Sequence, residues 1–563
     1  MSAPVQSISR VSSNPVKKLE EKLDGIVSLL KASHEIGSAY EHSTTASVRS
    51  VNLLDQELKV SSMPPENLNR SSHVQFAQPG VWSRQHAPTS APEVQDAHAR
   101  TFNGPEWISS NPLPTEEEAA VLLKTFRDET GLFFPFISIP KSTSVGAFRR
   151  ERPFTYLAII AVSTMKYPQG SELGKIIIKQ VAERVFVDGE RSIDLLLGIL
   201  TLAAWYFFHL LSIHHLTGLV AAANALVFDL GLLRIPHKES HSLFEEAIIK
   251  SIQNPSIIKS DKTFEEKRAL LGYFVLSSSI SMIFRRGEAL RYTSYLEEHR
   301  QSLAQSGDHP NDKGAAAIVR LQVFIERIHQ SPWNVKSEAP SVTLPVALLV
   351  NSIEEQLKQF RDEYSSEMET NKVVLLQYYI TQVTLYQVVY SRPANLPNTE
   401  RPDYKHVELL YACFQATKST IDLFFSMPAR NYCYFSILTW TVMRRALVAL
   451  QQLTTFNDPD WSLTYVHETL DFIWVLDRFI QRIEEAANDL NLDENHLFRR
   501  TAKKMAIAKT YCQDRIASHS ASAQSGPSDF PDPNLFDDMW FRDVFGVFDY
   551  QYDRGIPEMY ESR

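Results

Sequence analysis

Three histidines in the most apolar part of the sequence, His209, His214 and His215, are the first candidates for chemistry. Two imidazoles share one helical face at a spacing of four. These three stand five, six and one apart, so they read as core or helix-end histidines and not as a metal site. The run GSELGKI at Gly170–Ile176 has part of the look of a phosphate-binding loop. It is one residue short of that spacing and carries Ile176 where a Ser or Thr would bind magnesium, so it is set aside. Asp537, Asp538 and Asp543 invite comparison with the aspartate-rich motif of all-α lyases, the enzyme alternative. Magnesium needs carboxylates fixed around a rigid cavity, whereas these follow a Ser/Pro-rich stretch near the C-terminus. No G-x-S-x-G elbow occurs, and Cys413, Cys433 and Cys512 are far apart. They suggest reduced thiols, neither a disulfide framework nor a cysteine metal site. The expectation is therefore no catalytic residues, no metal ligands and no enzyme. The pairs Arg149–Arg150, Arg285–Arg286 and Arg444–Arg445 are scattered among acids and read as solvated faces or ion pairs.

The elements that would have to position such groups are helices. With 563 residues, 44% of them hydrophobic, the chain can bury a large core. Its net charge of −9 argues against a body that binds nucleic acid by itself. From PTEEEAAVLLKTFRDE at Pro114 to about residue 510, apolar residues recur with helical period and strand alternation is nearly absent. This predicts an all-α fold, with one large helical domain over 113–512. Loops are expected at Gln301–Lys313, Ser331–Leu344 and Ser391–Pro402. No Asp, Glu, Lys or Arg occurs between Leu195 and Phe228. The run is borderline for a membrane hairpin, but its histidines and missing Lys/Arg bias favour a buried pair of core helices.

The termini read differently. Residues 1–15 are polar and expected to be disordered. Over 16–36 a short coiled coil is predicted, because Val16, Leu19, Leu23, Ile26 and Leu30 are spaced 3, 4, 3 and 4. This is the candidate dimerisation seam; a single amphipathic helix packing on its own domain is the alternative. Residues 37–112 are expected to be a flexible linker rich in Ser, Pro, Asn and Gln. Residues 513–563 combine a further linker with a tail in which Phe536, Trp540, Phe541, Phe545 and Phe548 alternate with Asp537, Asp538 and Asp543. Such acidic-aromatic segments serve as disordered activation segments that recruit coactivators, the alternative being a strip that folds back on the body. The N-terminus has no apolar signal segment.

Several segments carry a family resemblance. LEEKLDGIVSLL at Leu19–Leu30, GLFFPFISIP at Gly131–Pro140 and RRERPFTYLAIIAVST at Arg149–Thr164 are similar to parts of fungal binuclear-zinc-cluster transcription factors. The stretches Leu173–Leu210, His214–Arg234 and Glu265–Arg300 resemble the middle homology region of that family in the expected order. The segments around Trp440 and Trp461 and the DDMWFRDVFG tail are similar too. The resemblance implies a helical regulatory domain, a nuclear location, and homodimers or heterodimers with a related regulator. It also implies DNA contact through two C-x2-C-x6-C repeats holding two zinc ions. With three cysteines, the chain holds no such pattern. No cofactor is therefore expected in this chain, and zinc or DNA would enter only through a cluster preceding it or carried by a partner. Loss of the cluster, leaving a modulator that pairs with a full-length relative, is the alternative.

Overall fold

The computed structural model describes residues 113–206, 213–233, 262–284, 289–330, 346–391, 404–456 and 460–522. The predicted seam at Val16–Leu30 and the tail residues Phe536–Phe548 lie outside them. The all-α expectation holds: the described residues form seventeen α-helices, with no strand among them.

Helix α1 (Glu116–Asp128) begins at a capping box, in which Thr115 Oγ1 accepts from the Glu118 amide while the Glu118 carboxylate accepts from the Thr115 amide. A buried turn, Phe133 to Ile139, leads to α2 (Val145–Glu151) and α3 (Pro153–Ser163). Proline opens α3, and Arg152 before it offers no side-chain cap. The cap comes from elsewhere: the buried Asp194 carboxylate accepts from Phe154 N and Thr155 N, both at 2.9 Å. Asp194 lies in the first turn of α5 (Ile193–Ala204), which follows α4 (Tyr167–Val181) and a π-turn over Ala182–Val187. Helices α3 and α5 pack so tightly that a Cβ at Gly198 would stand 2.3 Å from Phe154 Cδ1.

Helix α5 is buried at every position from Asp194 to Ala204, and α6 (Ile213–Asp229) packs beside it. The apolar run is thus a pair of core helices, shorter than one continuous helix through Leu211, and no helix among the described residues is long and apolar enough to cross a membrane. Helix α7 (Phe264–Phe284) is the central element, touching α5, α6, α8 (Ser294–Ser306) and α9 (Asp312–His329). The α8–α9 connection is only residues 307–311, tighter than the predicted loop, and Gly307 closes α8 at a φ of 62°. The two other predicted loops fall mostly or wholly outside the described residues.

The rest comprises α10 (Val346–Glu363), α11 (Ser365–Thr370), α12 (Lys372–Tyr386), α13 (Tyr404–Phe425), α14 (Ile437–Thr455), α15 (Leu463–Thr469), α16 (Phe472–Asp489) and α17 (Leu497–Ser522). Helix α14 also reaches α7. The beginning and end of this body are joined directly. Trp205 Nε1 donates to Tyr434 O at 2.9 Å, Ser436 Oγ donates to Phe133 O at 2.7 Å, and the Phe133 and Phe435 rings meet at 4.7 Å. One apolar core therefore includes residues from Ala119 to Met505.

Candidate functional site

Helix α14 reads ILTWTVMRRALVALQQLTT, and apolar residues cover nearly its whole circumference. A helix that is apolar all round is buried, so Arg444 and Arg445 cannot both reach water. The structure corrects the reading of Arg444 as part of a solvated face. Arg444 is buried, Arg445 is half-buried, and both line one cavity. By contrast, Arg149 and Arg150 are exposed, with the Arg149 guanidinium 5.9 Å from the Tyr156 ring centre. Arg285 and Arg286 lie outside the described residues.

Four helices line the cavity, which is open on one side. Helix α7 supplies Ser279 and Met282, α9 supplies Gln322 and Ile325, and α12 supplies Gln377 and Ile380. Helix α14 closes it with Leu438, Thr441, Val442, Arg444 and Arg445. The enclosed space is about 40 Å³, room for roughly three water-sized groups. With its mouth included the empty volume reaches about 420 Å³.

Neutral acceptors hold Arg445. Nη1 donates to Thr384 Oγ1 at 2.5 Å, and that hydroxyl donates onward to Ile380 O at 2.7 Å. Nη2 lies 3.5 Å from His329 Nε2. His329 Nδ1 is 2.9 Å from Ile325 O, a carbonyl that can only accept, so Nδ1 carries the proton and Nε2 faces the guanidinium as an acceptor. No carboxylate pairs with Arg445 among the described residues. Burial consequently pulls its pKa down to about 10. Burial also pushes the carboxyl pKa of the buried Glu326 on α9 up.

The other sequence candidates assemble no site. His209 lies outside the described residues, as does the His214 side chain, and His215 is exposed. Gly170–Ile176 is part of α4, so it forms no phosphate loop. Cys413 and Cys433 are buried in the core, and burial pushes the Cys433 thiol pKa up, away from the nucleophilic thiolate. No group of three or more His, Cys, Asp or Glu among the described residues is placed to hold a metal ion.

Comparison with known proteins defines the class as the helical regulatory region of fungal transcription regulators. A family model described as the WAR1 C-terminal domain matches residues 92–432, more than half of the chain, and the chain belongs to that family. A second model, also of a C-terminal domain, matches residues 429–552. Among curated relatives, the transcription factor opdL of Penicillium oxalicum is 24% identical over 82% of this chain and 85% of its own length. A transcription factor of Aspergillus terreus is 22% identical over 96% of this chain and 88% of its own length. The transcription factor himD of Aspergillus japonicus is 23% identical over 75% of this chain and 71% of its own length. No solved structure matches the chain. The two family matches meet inside the short 3-10 helix Ala429–Tyr434. The cavity spans that seam, with Ser279 to Ile380 on one side and Leu438 to Arg445 on the other.

Proposed function

We propose that the chain regulates transcription in the fungal nucleus through three parts. The seam Val16–Leu30, within 16–36, pairs two chains or joins this chain to a related regulator. The helical body, 113–512 in the sequence division, controls the output. The tail Leu535–Asp553 recruits coactivators through Phe541, Phe545 and Phe548, which an induced helix would place at i, i+4 and i+7. Residues 1–15, 37–112 and 523–534 act as flexible connections in this reading, since α17 carries the helical body on to Ser522, past the linker start expected at 513. The observation that carries it is the likeness to named transcription factors along nearly the whole chain. The second reading is a modulator that acts only by pairing with a cluster-bearing relative. The test joins the chain to an unrelated DNA-binding module and measures a reporter, with and without Leu535 onward. Activation that depends on the tail supports the regulator. A silent fusion whose body melts earlier once the tail is removed makes the tail structural and favours the modulator.

A further inference from the structure

Helix α17 is strongly basic in a chain whose net charge is −9. It carries Arg499, Arg500, Lys503, Lys504, Lys509 and Arg515 against the single acid Asp514. Its inner side, with Phe498, Ala502 and Met505, is buried, and the helix packs on α16. Lys509 Nζ donates to Asp477 of α16 at 2.6 Å, so the two helices stay side by side as far as residue 509. The outer side mixes charge with apolar surface. Ile507 is 73% exposed, and Lys503, one turn before it, has a side chain 72% exposed. Lys503 lies 3.6 Å from Glu494, but a pair so open to water neutralises little. Trp474, one turn before Asp477 on α16, is exposed as well. We propose that this outer face of α17 is the docking site of the chain's own C-terminal tail, Leu535–Asp553.

Charge, chemistry and reach all select this occupant. The tail carries Asp537, Asp538, Asp543, Asp549 and Asp553 against Arg542, the reverse of the balance on α17. In a helical tail, Phe541, Phe545 and Phe548 form one stripe, with Asp538 one turn before it and Asp549 at its end. Ile507 and Trp474 offer that stripe apolar contact, and the cations of α17 offer the acids theirs. Ile507 lies about 23 Å along the helix from its end at Ser522. Residues 523–534 span about 40 Å when extended, so the tail can return to Ile507 and beyond. A tether this short keeps the tail at a local concentration of about millimolar, so a weak contact suffices. One family model also runs from residue 429 to 552, across α14 to α17 and through nearly all of the tail. Docking requires nothing of coactivator recruitment and is measured on the purified chain, so either idea can fail alone.

The experiment measures amide hydrogen exchange of residues 535–553 in the full chain and in a synthetic peptide of the same sequence. In the wild type these amides should exchange about tenfold more slowly than in the peptide, and sodium chloride should shrink the difference. Ile507→Asp should remove most of the slowing, because the side chain it replaces is buried only when the tail is docked. Lys503→Glu should remove part of it. Phe545→Ala should act like Ile507→Asp, and the two together should exchange no faster than either alone, since both break one contact. Val121→Asp, an exposed apolar position on α1, is the control and should change nothing. A wild-type tail that exchanges at the peptide's rate overturns the proposal. So does slowing that survives Ile507→Asp, or that Val121→Asp removes equally. Slowing that vanishes on dilution assigns the face to the tail of a second copy and overturns it too. A random DNA duplex shifted by the full chain and released by Lys503→Glu, with tail exchange unmoved by that change, gives the face to a phosphate backbone instead, and the proposal falls.

Discussion

Removing the Asp312 carboxylate should destabilise the helical body more than any other single change to its surface-linked ion pairs. Arg268 on α7 has a side chain only 4% exposed, and Asp312 at the start of α9 is 2% exposed. Arg268 Nε donates to Asp312 Oδ1 at 2.8 Å and Nη2 donates to Oδ2 at 3.3 Å. Nη2 also donates to Asp308, whose side chain is 47% exposed. The Asp312 carboxylate further accepts from Ser306 Oγ at 2.9 Å and from His309 N at 3.1 Å, which holds the tight α8–α9 turn. Asp312→Ala leaves a buried guanidinium with one half-exposed partner. Breaking a buried pair from one side costs about 3–5 kcal/mol, and the surviving Asp308 contact places the expected loss near the lower bound, about 3 kcal/mol. Asp308→Ala should cost about 1 kcal/mol or less, because that group stays largely in water. The double change Arg268→Met, Asp312→Leu removes both charges and should recover most of the loss. Urea unfolding followed by circular dichroism checks the series. If Asp312→Ala matches Asp308→Ala, or if the double variant is no better than Asp312→Ala, the uncompensated guanidinium is not the cause and the reasoning is wrong.

Other expectations follow from single contacts. At Gly198 an added methyl meets the Phe154 ring, so Gly198→Ala should lower stability by about 1–2 kcal/mol, overpacking of about 1–3 outweighing a helix-propensity gain of about 1. Adding Phe154→Leu should return part of it, and no recovery would point away from the ring contact. His496 is buried, and burial pulls its pKa from 6.5 to about 4. Its contribution is present above 6.5 and disappears as pH falls towards 4, because the unfolded chain takes up the proton first; the loss is on the order of 3 kcal/mol. Unfolding measured between pH 7 and pH 4 should be less steep for His496→Gln than for wild type, and parallel curves would contradict the assignment. In the N-terminal seam, Leu23→Glu with Leu30→Glu should halve the sedimenting mass, since each buried leucine is worth about 1.5–3 kcal/mol in so short a zipper. An unchanged mass means that the seam does not join chains.

The helices themselves were legible in the sequence because their signals are local. The cap at Thr115 and Glu118 and the acids after it sit within one turn, and the apolar period of α9 or α16 needs no distant partner to be read. The charge-free run from Leu195 was legible as core on the same ground. What those helices do with the polar residues they carry was not legible. Asp194 reads as the flank of an apolar run, yet it caps α3 from 39 and 40 residues away. Arg445 reads as half of a solvated pair, yet it faces a cavity whose other walls begin at Ser279. The one available signal was negative: α14 has no polar face wide enough for two arginines to leave the core. A sequence determines which residues must leave water, through burial energies that scale with local apolar area. Which partner a buried charge meets depends on how distant helices cross, and only the tertiary structure decided that Arg268 pairs with Asp312 while Arg445 meets Thr384 and His329.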